Sequence, residues 1–113
     1  MVKKNSCVFI SGAGTNLKAL IKSSREYKFP INIKLIISNK RNAMGLLFAR
    51  RYSIPFKVIK TKNALFEKEL INEINKKKIS LICLAGYMKI LSKNFINSYK
   101  GKIINIHPSL LPN

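Results

Sequence analysis

Near its C-terminal end the chain reads Ile103-Ile104-Asn105-Ile106-His107-Pro108-Ser109-Leu110-Leu111-Pro112. Side chains alternate faces along an extended strand, so Asn105 and His107 are expected on one face just before Pro108 stops the strand. His107 is the only histidine in the sequence. A carboxamide donor beside an imidazolium could stabilise an oxyanion and then protonate a departing amine, which is the chemistry of acyl transfer. Such an acid needs its pKa held near neutrality, and a nearby carboxylate is the usual means. The sequence contains no aspartate, and its four acids are Glu26, Glu67, Glu69 and Glu73. The last three share one amphipathic helical segment, and Glu26 lies at the end of another, so none is an evident partner. A lone histidine at a strand end also has a purely structural reading.

Two other stretches could hold ligands. In Ser11-Gly12-Ala13-Gly14-Thr15-Asn16 the glycines allow close backbone approach to an anion. Free N–H groups at a helix start, with the Thr15 hydroxyl, would suit a phosphate. A plain β-α turn is the alternative. The dinucleotide fingerprint is excluded, because Leu17 stands where its third glycine belongs. In Tyr87-Met88-Lys89-Ile90-Leu91-Ser92, apolar side chains beside backbone amides could hold a flat heterocycle. A loop that simply packs is the competing reading.

The elements that must position these stretches alternate strictly between strand and helix. Cys7–Ile10 reads as a buried strand. Thr15 or Asn16 then caps a helix whose Leu17, Leu20 and Ile21 form one apolar stripe, with Lys18 and Lys22 towards water. Residues 31–38 form a second strand and 43–52 a helix, followed by a short strand over 56–59. In the clearest helix, 64–76, Phe66, Leu70 and Ile74 recur every four residues, and Glu73 pairs with Lys77. Leu81-Ile82-Cys83-Leu84-Ala85 is apolar throughout, as suits a central parallel strand covered on both faces. A helix over 92–99 and a strand over 103–107 complete the pattern. This order predicts an α/β fold: an open, mostly parallel, twisted Rossmann-like sheet with helices on both faces and right-handed crossovers. Ligands in such sheets collect outside the carboxyl ends of the strands, where all three stretches fall.

With 113 residues the chain is at most one domain, spanning 1–113, and no apolar run approaches a membrane span. The apolar stretch after the basic N-terminus is too short for a signal peptide, so a cytoplasmic location is expected. Cys7 and Cys83 sit in apolar runs and are expected to be buried reduced thiols. One histidine and two distant cysteines supply no metal site. The net charge is +18, and such a field attracts nucleic acid or anionic lipid nonspecifically. However, Lys, Ile and Asn together make up 47 of the 113 residues. These three share A/T-rich codons, so mutational bias accounts for the excess lysine without a specific nucleic-acid partner. The one basic run, Lys76-Lys77-Lys78, reads as a solvated helix end.

The segments Ile10 to Leu17, Leu84 to Ser92 and Asn105 to Pro112, in this order and at these separations, closely resemble the phosphoribosylglycinamide formyltransferase family. The resemblance covers the whole chain. It implies transfer of a formyl group from 10-formyltetrahydrofolate to the amine of glycinamide ribonucleotide, in de novo purine synthesis and without a metal. By resemblance, Gly14, Thr15 and Asn16 hold the substrate phosphate, and Met88, Lys89, Ile90 and Leu91 hold the folate pterin through backbone contacts. Asn105 steadies the oxyanion and touches the folate, and His107 is the general acid. Lys89 stands where the family commonly has Arg. Asn63 stands where a folate-contacting Arg often precedes the third helix, and that role is not carried over.

The family's catalytic Asp lies downstream of the segment that follows Leu111-Pro112, and its members run to nearly twice this length. The resemblance therefore implies an N-terminal, C-terminally incomplete portion, with little activity and poor solubility expected of 1–113 alone. Methionyl-tRNA formyltransferase and formyltetrahydrofolate deformylase share the Asn-x-His-Pro-Ser-Leu-Leu-Pro element; the phosphate-suited turn favours the ribonucleotide enzyme. A basic nucleic-acid-binding remnant is the alternative from another class. Small-molecule substrates are the partners implied, with a homodimer left open.

Overall fold

A computed structural model of the chain describes residues 2–10, 15–41, 44–58, 64–85 and 92–106. Five strands and four helices alternate: β1 (Lys4–Ile10), α1 (Thr15–Ser24), β2 (Ile31–Ser38), α2 (Gly45–Arg51), β3 (Phe56–Val58), α3 (Ala64–Lys76), β4 (Leu81–Ala85), α4 (Lys93–Ser98) and β5 (Lys102–Asn105). The strands form one sheet in the order β3-β2-β1-β4-β5, and every pairing among them is parallel. The expected class is therefore found, with no antiparallel strand among the described residues.

Each face of the sheet carries its own apolar layer. On one side Val8, Ile10, Ile36 and Cys83 meet Leu17, Leu20 and Ile21 of α1 and Leu46 and Ala49 of α2. On the other, Cys7, Phe9, Leu35, Ile37 and Ile82 meet Leu70 and Ile74 of α3 and Phe95 of α4. Period-2 alternation along β1 and β4 thus feeds two helical layers, which explains why these strands carry apolar residues without interruption. The Phe9 and Phe95 rings lie edge to face with centroids 6.3 Å apart, the geometry aromatic quadrupoles favour.

The two cysteines fall on opposite faces, since Cys7 pairs with Ile82 and Val8 with Cys83. They are free, buried thiols, as expected, and a bridge between them is excluded by strand geometry.

Element ends depart from expectation in informative ways. β1 starts at Lys4, before its apolar run, because Lys4 N–H donates to the carbonyl of Pro30 and Ser6 Oγ donates to that of Asn32. α1 begins at Thr15 itself, so Thr15 and Asn16 lie within the helix rather than capping it. α4 is shorter than 92–99: Ser92 is its N-cap, accepting from the Phe95 N–H, and Tyr99 is its C-cap. β5 ends at Asn105, two residues before His107, although the Ile106 N–H still donates to Leu84 at 2.9 Å.

β2 holds an irregularity that no sequence pattern announced. Ser6 pairs with Ile33 but Cys7 pairs with Leu35, leaving Lys34 as an extra residue in the ladder. Ile31 and Ile33 therefore pack on the α1/α2 side, and after the bulge Ile36 takes over that face while Leu35 and Ile37 turn to the other. One inserted residue reverses the parity of the strand.

Candidate functional site

The strand order reverses between β1 and β4: β1, β2 and β3 run outward on one side, and the chain then crosses to the other for β4 and β5. Such a switch point opens a crevice at the carboxyl ends of the two central strands, because their outgoing connections diverge to opposite faces. The glycine turn leaves the end of β1 and the Tyr87–Ser92 stretch leaves the end of β4. Ile10 pairs with Ala85, so both departures occur at one level of the sheet. Asn105 ends β5 and pairs with Leu84, one residue below Ala85. Adjacent strands lie about 5 Å apart, so the three stretches leave neighbouring strand ends along one short edge.

Asn105 is exposed, unlike the half-buried Ile103 and Ile104 before it. Ile104 and Ile106 both pack against the α1/α2 layer, so alternation persists through Ile106 and puts Asn105 towards the α3/α4 side. Its amide is accessible at the edge where a ligand would collect. Gly14, Met88, Lys89, Ile90, Leu91 and His107 lie outside the described residues, as do the side chains of Thr15 and Asn16, whose backbone opens α1.

Two features of this edge escape a reading of composition and spacing. Glu67, in the first turn of α3, accepts a 2.5 Å hydrogen bond from Ser92 Oγ, and the same oxygen caps the Phe95 N–H at 3.0 Å. One hydroxyl thus joins α3 to the start of α4 immediately after the Tyr87–Leu91 stretch. The cap was legible in Ser92 at a helix start; the distant Glu67 was not. Asn39, just beyond β2, donates its backbone N–H to Ile10 at 3.4 Å. Its buried side-chain oxygen has no hydrogen-bond partner among the described residues, and such an acceptor is costly to leave unmatched. It stands beside the departure of the glycine turn.

Two of the described carboxylates have partners of their own. Glu67 is engaged by Ser92, and Glu73 pairs with Lys77 at 3.4 Å as the i,i+4 spacing predicts. Among the described residues no group of His, Cys, Asp or Glu could hold a metal ion, and no described helix is long and apolar enough to cross a membrane.

Fold and edge together define a doubly wound parallel α/β protein, the class in which ligands bind at the switch point of the sheet. The formyl transferase family matches residues 4–113, and the chain belongs to that family. It is 43% identical over 113 residues to a phosphoribosylglycinamide formyltransferase of Haemophilus influenzae, covering 96% of this chain and 53% of that protein. It is also 43% identical over 116 residues to the trifunctional purine biosynthetic protein adenosine-3 of Chironomus tentans, covering 97% of this chain and 8% of that one. The solved phosphoribosylglycinamide formyltransferase of Brucella melitensis superposes with a TM-score of 0.82 at 39% identity, covering 97% of this chain and 59% of the other. The chain spans about half the length of the single-function relatives it matches.

Proposed function

We propose that the protein transfers a formyl group from 10-formyltetrahydrofolate to the amine of glycinamide ribonucleotide in purine biosynthesis, in the cytoplasm. The observation that carries this reading is the convergence of β1, β4 and β5 on one carboxyl edge, with Asn105 exposed on it. Family membership and the names of the similar proteins support the substrate pair. Residues 1–113 belong in this reading to one formyl transferase domain, as its N-terminal portion, with small molecules as partners.

In this reading Gly14, Thr15 and Asn16 bind the ribonucleotide phosphate through N–H groups at the start of α1. Met88, Lys89, Ile90 and Leu91 bind the pterin through main-chain donors and acceptors. The folate supplies the formyl carbon. The Asn105 carboxamide donates to the formyl oxygen as negative charge develops there, which favours attack by the ribonucleotide amine. The His107 imidazolium delivers a proton to the folate nitrogen as its bond to the formyl carbon breaks, and the proton lost by the attacking amine returns to the imidazole through solvent, restoring the acid. Each role uses a group suited to it: an amide donor that stays neutral, and the one side chain that titrates near neutral pH.

The test is a formyl-transfer assay on the protein expressed from its gene, with each acceptor offered separately. Transfer to glycinamide ribonucleotide is expected. His107→Ala should lower kcat by about 10²–10⁴-fold, the usual weight of a positioned general acid, with ribonucleotide affinity little changed. Transfer to initiator tRNA but not to the ribonucleotide, or an unaltered kcat in His107→Ala, would overturn the reading.

A further inference from the structure

At the opposite pole of the sheet, where the strands begin, an open cleft of about 500 Å³ lies among Asn5, Arg25, Lys34, Tyr52, Ser53 and Lys77. We propose that this cleft binds a small, multiply charged phosphate such as pyrophosphate, with Arg25, Lys34 and Lys77 as its cationic partners. The site is separate from the carboxyl edge, and its existence does not depend on the formyl-transfer reading.

Three observations carry the proposal. Lys34 is the extra residue of the β2 bulge and is exposed, although it belongs to an interior strand. Bulges disrupt a ladder locally and commonly re-aim one side chain, and this one leaves Lys34 lining the cleft. Arg25 is held in place before any ligand arrives: its Nη2 donates to the Tyr52 carbonyl at 2.8 Å, and its guanidinium lies 5.2 Å from the Tyr52 ring centroid. A guanidinium has five donors in a rigid fork, so this anchor leaves others for phosphate oxygens.

Among the described residues no carboxylate lines the cleft. Glu73 lies 3.4 Å from Lys77 and offsets one cation of the three. Asn5 Nδ2 fixes the Lys77 side of the wall by donating to the carbonyls of Lys77 and Lys78 at 3.4 and 3.3 Å. Three cations with one partly matched carboxylate, one of them preset and one re-aimed by the backbone, suit an anion of several charges. The Lys77 of the basic run thereby gains a role that a solvated helix end does not have.

Calorimetric titration of the intact chain with inorganic pyrophosphate tests this, at low and physiological salt. Two double variants remove the same charge: Arg25→Ala/Lys34→Ala in the cleft, and Lys68→Ala/Lys100→Ala on exposed positions elsewhere. The cleft variant is expected to bind at least tenfold more weakly than the parent, and the control within twofold of it. Lys34→Gln alone, which leaves the Arg25–Tyr52 contact intact, should weaken binding at least threefold and guards against misfolding of the double variant. Equal weakening in both double variants would show only the general field of the +18 chain and overturn the proposal. Undiminished binding in Lys34→Gln would do the same, as would affinity for oligonucleotides that rises with length and is equal in every variant.

Discussion

Gly101 shows how little room one position can have. A Cβ built there would lie 2.1 Å from the Tyr99 hydroxyl oxygen and 2.6 Å from the Ser80 carbonyl oxygen. That carbonyl accepts the Lys102 N–H at 3.1 Å and helps to start β5, so it cannot withdraw cheaply. Gly101→Ala is expected to destabilise the protein by roughly 1–3 kcal/mol, the usual scale of overpacking, read as a lowered urea midpoint. The buried thiols act through protonation instead. Burial pushes the Cys7 thiol well up, with Cys83 nearby adding to it, and pushes Cys83 up to about 11. Burial also raises the Tyr99 hydroxyl to about 12, with the two cysteines adding. In each case the folded state keeps the neutral form that the unfolded chain gives up sooner. Stability from Cys83 is therefore complete below about pH 9 and declines as pH rises towards 11. A urea midpoint that stays flat from pH 8.5 to 11 would contradict this assignment.

At the scale of elements, the chain reverses twice through the same helix ending. After α3, Ile79 N–H donates to Ile74 and Lys78 N–H to Asn75; after α2, Ile54 donates to Ala49 and Ser53 to Arg50. Both are Schellman endings, which place the residue after the C-cap in the left-handed region. Here those residues are Lys78 at φ 55° and Ser53 at φ 57°, not glycine. Buried Ile54 and Ile79 follow and fold back onto the apolar layers, so packing sustains the strain. Lys78→Gly should remove it and raise stability by about 0.5–1 kcal/mol, the left-handed penalty less the entropy glycine adds to the unfolded chain. A lowered melting temperature in that variant would show that the lysine stem contributes more than its backbone costs. Sequence signals for these endings were absent, because glycine is the residue that usually marks them.

For the whole molecule the dominant fact is 22 cationic residues against 4 acidic ones. Only one ion pair, Lys77–Glu73, is present among the described residues. Several cations are held otherwise: Lys18, Arg25 and Arg50 lie over the rings of Phe48, Tyr52 and Phe56, and Lys3 donates to backbone carbonyls of Ser24 and Glu26. Aromatic faces and carbonyls substitute for carboxylates that the composition does not provide. The net repulsion remains and is screened by salt. Raising sodium chloride from about 20 to 300 mM is thus expected to raise the melting temperature, whereas a mixed-charge surface would show little change. Among the described residues β5 pairs on one side only, and exposed Lys100 and Lys102 flank its start, as charged residues often do on an unpaired edge.

The alternation of apolar runs with helical stripes, read by itself, settled the α/β class, the parallel sheet and the limits of α3 and β4. Those features are local: each depends on a side-chain period of two or near four that a short segment carries within itself. The Asn105–His107 segment and the glycine turn were likewise visible as residue types in order. Only the tertiary structure decided that β1, β4 and β5 stand side by side, that Lys34 breaks the register of β2, and that Ser92 reaches Glu67. These depend on pairings between segments far apart in the chain, where the energy lies in contacts rather than in any period. The same reason explains why the two cysteines could be read as buried, yet their placement on opposite faces had to come from the register of neighbouring strands.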